Sequence, residues 1–285
     1  MNGTPLVSVI VNCFNSEKTI LRAINSILSQ TFTYLEIIVW DNDSVDSTRD
    51  IVSSIDDIRV RLFKSNKTVS LGIARNFAVN EATGKFMAFC DSDDWWEPFK
   101  LKDQLQFLDG SRYSFVCSDF KIVNLITNTT SNKYFGRNSE IVSQCSLIKN
   151  YNVGLLTLLT YTKSVKKIVK DENPEYMYMW DFAIVMKLSK IADGYFTSKS
   201  NAFNTVASST LSITGKSEAK NELGCWFVNH YDSLAQSCPS LKRYINYKIV
   251  QCNGIFNSKI SVNYFSLIIV FIEKIYLKLK NKIIN

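Results

Sequence analysis

An apolar segment that ends Phe89-Cys90 runs straight into Asp91-Ser92-Asp93-Asp94, three carboxylates in the spacing D-x-D-D. Carboxylates at the end of a buried strand are costly unless something cationic meets them. Two Asp side chains one residue apart at a strand's exit can share a hard divalent cation, which prefers oxygen ligands and bridges readily to a diphosphate. That chemistry suits a nucleotide-sugar site and makes Asp91 and Asp93 the candidate ligands of a divalent cation. Asp94 reads instead as a cap or turn residue.

Two further polar clusters fall where strands should end. Residues 7–14 (VSVIVNCF) form a β-branched run that suits a strand buried on both faces, and Asn12 and Phe14 stand at its exit. Residues 35–40 (LEIIVW) run into Asp41-Asn42-Asp43-Ser44. Between and after them the pattern alternates. Ser16 can cap a helix whose apolar positions are Ile20, Ile24, Ile27 and Leu28, and a second helix is expected near 48–55. A strand at 59–63, a helix near 72–82 and a strand at 85–90 follow. This order predicts an α/β fold with a doubly wound, mostly parallel sheet flanked by helices. In open sheets of that kind ligands bind outside the carboxyl ends of the strands, which is where the three clusters converge. The dinucleotide fingerprint G-x-G-x-x-G is missing after the first strand.

With 285 residues, 46% of them apolar, the chain is long enough for a full core and a C-terminal appendage. The net charge of +7 is moderate and its basic residues are scattered among acidic ones, which excludes the basic stripe of a nucleic-acid binder. Seven cysteines form no C-x-x-C pair, and Cys13 and Cys90 sit in apolar runs as small core residues, so a reducing, cytoplasmic setting is expected. The start of the chain lacks the features of a signal peptide, and the apolar run 265–272 is too short to cross a bilayer, which takes ~20 residues.

The second half is less regular. A helix follows Pro98 through Leu101, Leu105 and Leu108, and signals blur from 115 to 173 before residues 180–191 (WDFAIVMKLSKI) return to a clear helix opened by Asp181. The division expected is 1–115 for donor binding, 116–215 for the acceptor and the catalytic base, and 216–285 as a helical appendage. In the last of these, Ile268, Ile272, Ile275, Leu279 and Ile283 share one helical stripe opposite Lys274, Lys278 and Lys282. Such a basic amphipathic helix suits peripheral contact with an anionic membrane, or packing on its own domain. The only histidine, His230, rules out a multi-histidine metal site.

Together these segments resemble the bacterial family 2 glycosyltransferases, which have the GT-A fold. VSVIVNCFN is similar to the family's first strand and asparagine turn, EIIVWDNDSVDST to its "VVDDGSTD" segment, and GIARNFAVNEATGKFMAFCDSDDWW to its "ARN…A.G.y…lD.DD.w" segment. The resemblance implies an inverting transfer from a nucleotide-sugar donor, with a UDP-sugar expected, to a glycan or polyprenyl-diphosphate-linked acceptor in cell-surface polysaccharide assembly, at the inner face of the membrane. It implies that Asp41 hydrogen-bonds the uracil or ribose, that the backbone around Asn12 lines the base pocket, and that Asp91 reaches the ribose or a metal-bound water. Asp93 would hold Mg²⁺ or Mn²⁺ on the diphosphate. Asp181, the best match to the family's "ED" before a "LWLRLA"-like run, would be the base. Arg75 faces a phosphate or pairs with acids on the surface, and Lys67 touches the base or phosphate or is a solvated loop lysine.

The chain departs from the family pattern at two places. DNDS stands for DDGS, so Asn42 replaces an acid and Asp43 a glycine, two residue types that tolerate left-handed backbone. The family's "YR.H" becomes Phe203-Asn204-Thr205-Val206, without the histidine. Two other readings stand beside the transferase: a nucleotidyltransferase, for which NCFNSEKT lacks the phosphate loop, and a non-catalytic GT-A-like scaffold in a polysaccharide assembly complex.

Overall fold

The computed structural model describes residues 6–134, 136–171, 178–206 and 216–253. The chain divides into two compact units, one of residues 1–147 and 151–214, the other of residues 148–150 and 215–285. Residues 1–115 and all of 116–215 but 148–150 and 215 thus share one unit. The basic apolar stripe at 268–283 lies outside the described residues.

The first unit is built on one sheet, with ten strands among the described residues. Its first half alternates β1 (Val7–Cys13), α1 (Ile20–Leu28), β2 (Leu35–Asp41), α2 (Thr48–Ser53), β3 (Val60–Lys64), α3 (Leu71–Glu81) and β4 (Phe86–Phe89). β1 pairs in parallel with β2 on one side and β4 on the other, and β2 carries β3 at the edge. Every residue of β1 and of β4 is buried, which is why their sequences are continuously apolar rather than alternating. α1 covers one face with Ile20, Ala23, Ile24 and Ile27. It starts four residues after Ser16, whose hydroxyl does not cap it but bonds Phe14 and Ser92 instead.

The rest of the sheet is mixed. β5 (Trp95–Trp96), α4 (Lys100–Leu108), β6 (Phe115–Asn124), β7 (Thr129–Asn132) and β8 (Glu140–Val142) follow, then α5 (Gln144–Lys149), β9 (Leu159–Tyr161), α6 (Thr162–Asp171), α7 (Trp180–Ile191) and β10 (Gly194–Val206). β9 lies antiparallel between β4 and β6, so β6 regains the direction of β1 and β4. β10 runs parallel to β6, and its carboxyl end therefore reaches the same edge of the sheet as those of β1, β2 and β4. Its middle slips register twice, between Thr197 and Ser200 and between Ser200 and Phe203, which obscures a period-two pattern. Gly194 is needed where β10 meets β6: a Cβ there would lie 2.2 Å from the Phe115 ring.

The second unit carries α8 (Lys216–Asn229), α9 (Tyr231–Ser237) and α10 (Lys242–Asn253). Trp226 and Phe227 are buried within it, and Tyr244 donates its hydroxyl to the Lys149 carbonyl at 2.7 Å. His230 follows the end of α8 and bonds the Trp226 carbonyl at 2.9 Å. Among the described residues no helix is long and apolar enough to cross a membrane.

Candidate functional site

The turns that leave β1 and β2 are tied to each other. Asn15, at φ 49°, bonds the second turn in both directions: its amide donates to Ser44 Oγ at 2.9 Å, while its own Oδ1 accepts from the Val45 amide at 3.0 Å. The Ser16 amide donates to Thr48 Oγ1 at 2.7 Å. Asn12 is buried at the exit of β1, and its Nδ2 has no acceptor among the described residues. Phe14 projects at the rim, 48% exposed. Asp41 is placed differently from its neighbours. Its side chain has no exposed surface, and Oδ2 takes Arg49 Nε at 2.6 Å and the Ser44 amide at 3.1 Å while Cys13 Sγ lies 3.8 Å from Oδ1. In this arrangement Asp41 braces the turn and is not brought to the surface of the crevice.

Both departures from DDGS have a structural use. Asn42 pairs with the main chain of Val69 in two directions, Nδ2 donating to its carbonyl at 2.8 Å and Oδ1 accepting its amide at 3.2 Å. An aspartate cannot donate the first of these bonds. Asp43 takes the left-handed conformation at φ 71° that a glycine would take, and its carboxylate meets Arg49 at 3.3 Å and Thr68 at 3.5 Å. The 65–70 loop is thereby fastened to the end of β2. Lys67 on that loop is exposed, and its amine has no partner among the described residues.

The acidic loop after β4 separates three carboxylates into three environments. Asp94 is buried: Asn204 Nδ2 reaches both its oxygens at 3.1 and 3.2 Å and the Thr205 amide donates to Oδ1 at 2.9 Å. Burial, with Asp91 and Asp93 alongside, pushes its carboxyl well above the usual range. Asp91 is paired with Arg75 Nη2 at 3.1 Å and is 41% exposed. Burial and the neighbouring Asp91 lift the Asp93 carboxyl to about 6, against its own main-chain amide and the pull of Arg22. The loop backbone is held from outside, because Arg22 Nη2 and Thr205 Oγ1 both donate to the Asp93 carbonyl, at 2.5 and 2.8 Å.

Asp181 enters the same crevice from α7, ninety residues further along the chain. Trp180 anchors that helix start: its Nε1 donates to Asn76 at 2.8 Å, its ring packs edge-on to Phe89 at 5.6 Å, and Arg75 lies 5.5 Å over it. Tyr151 donates its hydroxyl to Asp181 Oδ2 at 3.5 Å and packs on Phe182. Burial raises the Asp181 carboxyl, the Arg75 charge opposes the rise, and Asp91 adds to it. Arg75 therefore pairs with the acid of the D-x-D-D loop and also acts electrostatically on the acid of α7.

Among the described residues no three His, Cys, Asp or Glu side chains converge into a closed metal centre. The donor set still fits Mg²⁺ or Mn²⁺ at a diphosphate, since such ions take one or two carboxylates and complete their shell with water and phosphate oxygens. Asp93, half-buried with Asp91 beside it, is that kind of pair. Arg22, Tyr151, Asn204 and Thr205 were not singled out by the sequence, because each acts through a contact far away in the chain, and Arg49 was not, because its pairing with Asp41 leaves no local pattern. Only the replacement of "YR.H" hinted at the Asn204 and Thr205 contacts.

Comparison with known proteins bears on the fold and the family. The model of the family described as glycosyl transferase family 2 matches residues 8–170. Among curated relatives, the "UDP-Glc:alpha-D-GlcNAc-diphosphoundecaprenol beta-1,3-glucosyltransferase WfgD" of Escherichia coli is 35% identical over 154 residues, 54% of this chain and 59% of the relative. The "Putative teichuronic acid biosynthesis glycosyltransferase TuaG" of Bacillus subtilis is 31% identical over 160 residues, 55% of this chain and 63% of the relative. The matches thus span about six-tenths of the length of these relatives. Among solved structures, S. aureus TarS 1–349 in complex with UDP-GlcNAc superposes with a TM-score of 0.62 at 22% identity, covering 92% of this chain and 75% of that one. That likeness shows the GT-A fold. With residues 8–170 of 285 matched, more than half its length, the chain belongs to glycosyl transferase family 2.

Proposed function

We propose that the protein is a metal-dependent, inverting glycosyltransferase that moves a sugar from a UDP-sugar to a lipid-linked glycan during cell-surface polysaccharide assembly, at the cytoplasmic face of the membrane. The observation that carries this reading is the convergence of Asp91 and Asp93 with Asp181 on one edge of the sheet, with Arg75 between them. The names of the relatives supply the substrate class: WfgD uses UDP-Glc and a diphosphoundecaprenol acceptor, and TarS was crystallised with UDP and with UDP-GlcNAc.

Asn12 and Phe14 line the base side of the crevice, Lys67 and Arg75 face the donor's phosphates, and Asp41 supports the pocket by holding the β2 turn. Asp93, with Asp91, would hold Mg²⁺ or Mn²⁺. When bound, the cation offsets the charge that grows on the departing nucleoside diphosphate. Asp181, oriented by Tyr151, accepts the proton of the acceptor hydroxyl as that oxygen attacks the anomeric carbon from the face opposite the leaving group. One base and one displacement invert the configuration.

The test is transfer from UDP-glucose, UDP-galactose or UDP-GlcNAc to a synthetic polyprenyl-diphosphate-linked GlcNAc, followed by mass spectrometry of the product and NMR of its anomeric proton. A β-linked disaccharide from an α-configured donor supports the reading. No transfer from any of these donors, together with no donor hydrolysis, would favour a non-catalytic scaffold instead.

A further inference from the structure

Arg22 lies on the exposed side of α1, far in sequence from every acid of the crevice, yet its guanidinium is held at the metal-binding loop. Nη2 donates to the Asp93 carbonyl at 2.5 Å and to Thr205 Oγ1 at 3.3 Å. The guanidinium rests on the Trp95 ring, 4.0 Å from its centroid, and Trp95 is backed by Phe203, stacked at 4.8 Å and 8°. This fixes a side chain that otherwise loses much rotamer freedom on being ordered. Among the described residues no acceptor meets Nε or Nη1, and no carboxylate pairs with the charge. An exposed, immobilised guanidinium with open donors in a planar fork is built to take phosphate oxygens in pairs.

The surroundings ask for such a cation. Three carboxylates crowd the loop, and Arg75 is the one side-chain cation paired with any of them among the described residues. Thr205, which Arg22 touches, immediately precedes Val206, the position where the family pattern carries histidine. A valine can offer nothing to a phosphate. Arg22 brings a permanent positive charge to that neighbourhood from a different element.

We propose that Arg22 is a diphosphate-binding residue of this enzyme that contacts the donor's phosphate oxygens and stabilises them as they depart; the proposal rests on the nucleotide-sugar reading above. In the step it serves, the bond from the anomeric carbon to the diphosphate oxygen breaks and its electron pair goes to that oxygen. The acceptor oxygen forms the new bond and its proton goes to Asp181. Arg22 gives up no proton and acts by charge and hydrogen bonding alone.

The experiment is calorimetric titration of the full chain, wild type against Arg22→Gln and Arg22→Lys, with UDP, uridine and inorganic pyrophosphate, each in Mn²⁺ and in EDTA. The expected result is an affinity for UDP and pyrophosphate about tenfold weaker in Arg22→Gln, in EDTA as well as in Mn²⁺, partial recovery in Arg22→Lys, and unchanged uridine binding. A loss confined to Mn²⁺ would mean that Arg22 only holds the Asp93 loop, and overturns the proposal, as does no loss at all. If the wild type binds Mn²⁺-pyrophosphate but not UDP, the UDP reading fails while pyrophosphate still decides the role of Arg22. If it binds neither, both fail.

Discussion

Asn204 grips Asp94 by both carboxylate oxygens, at 3.1 and 3.2 Å, and so joins the last strand of the sheet to the acidic loop after β4. Removing this grip as Asn204→Ala leaves a buried carboxyl with one main-chain donor, and is expected to destabilise the fold by about 1–3 kcal/mol in urea denaturation. The pH dependence has a defined sign. The Asp94 carboxyl is raised in the folded state, so the native protein holds its proton where the unfolded chain has lost it. Its contribution is present below the unfolded carboxyl value and declines as pH rises toward the raised one.

Asp181→Asn keeps the size and the place of the side chain but removes the proton acceptor. The turnover number should fall about 10²–10⁴-fold, the usual contribution of a positioned base, while UDP affinity stays within a factor of about two. Steady-state transfer assays alongside calorimetry separate the two quantities. An equal loss in both would show that Asp181 serves donor binding.

Lys100 is the least expected charge in the fold. It is completely buried on α4, its amine lies 3.8 Å over the Trp96 ring, and no hydrogen-bond acceptor meets it among the described residues. Burial lowers it to about 7. For a base with a depressed folded pKa, the unfolded chain binds more protons between about 7 and the ordinary lysine value, so stability rises with pH across that window. Lys100→Met should remove that rise and raise the melting temperature at pH 7, as scanning calorimetry from pH 6 to 9 would register.

Asn42→Asp restores the family's acid and should weaken the site. It exchanges the donor to the Val69 carbonyl for a repelling oxygen, so amide exchange across 65–70 should accelerate and UDP affinity should drop several-fold. Hydrogen exchange by mass spectrometry with calorimetry checks both, and unchanged protection of the loop would remove the clasp from the account.

The parallel half of the sheet was legible because β1, β2 and β4 are buried on both faces and leave unbroken apolar runs, and α7 was legible from its period and from the Asp181 that opens it. Residues 115–206 were not. β9 is three residues long and antiparallel, β7 is wholly exposed, and β10 slips register twice, so none of them carries a clean period. In the site, the positions of Asp91 and Asp93 at a strand exit followed from local pattern. The burial of Asp41 against Arg49 did not, because a carboxylate after a strand reads the same whether it faces a ligand or a guanidinium eight residues on. Likewise, the closing of the loop by Arg22 and Asn204 depends on contacts 71 and 110 residues long.

The most direct test of the central claim is calorimetric titration of the wild type and Asp93→Asn with UDP, in Mn²⁺ and in EDTA, at pH 7.5 and 5. UDP should bind measurably tighter in Mn²⁺ than in EDTA, lose that gain in Asp93→Asn, and lose it also below about pH 6, where the Asp93 carboxyl takes its proton. UDP binding that is indifferent to EDTA and to Asp93→Asn would contradict that claim.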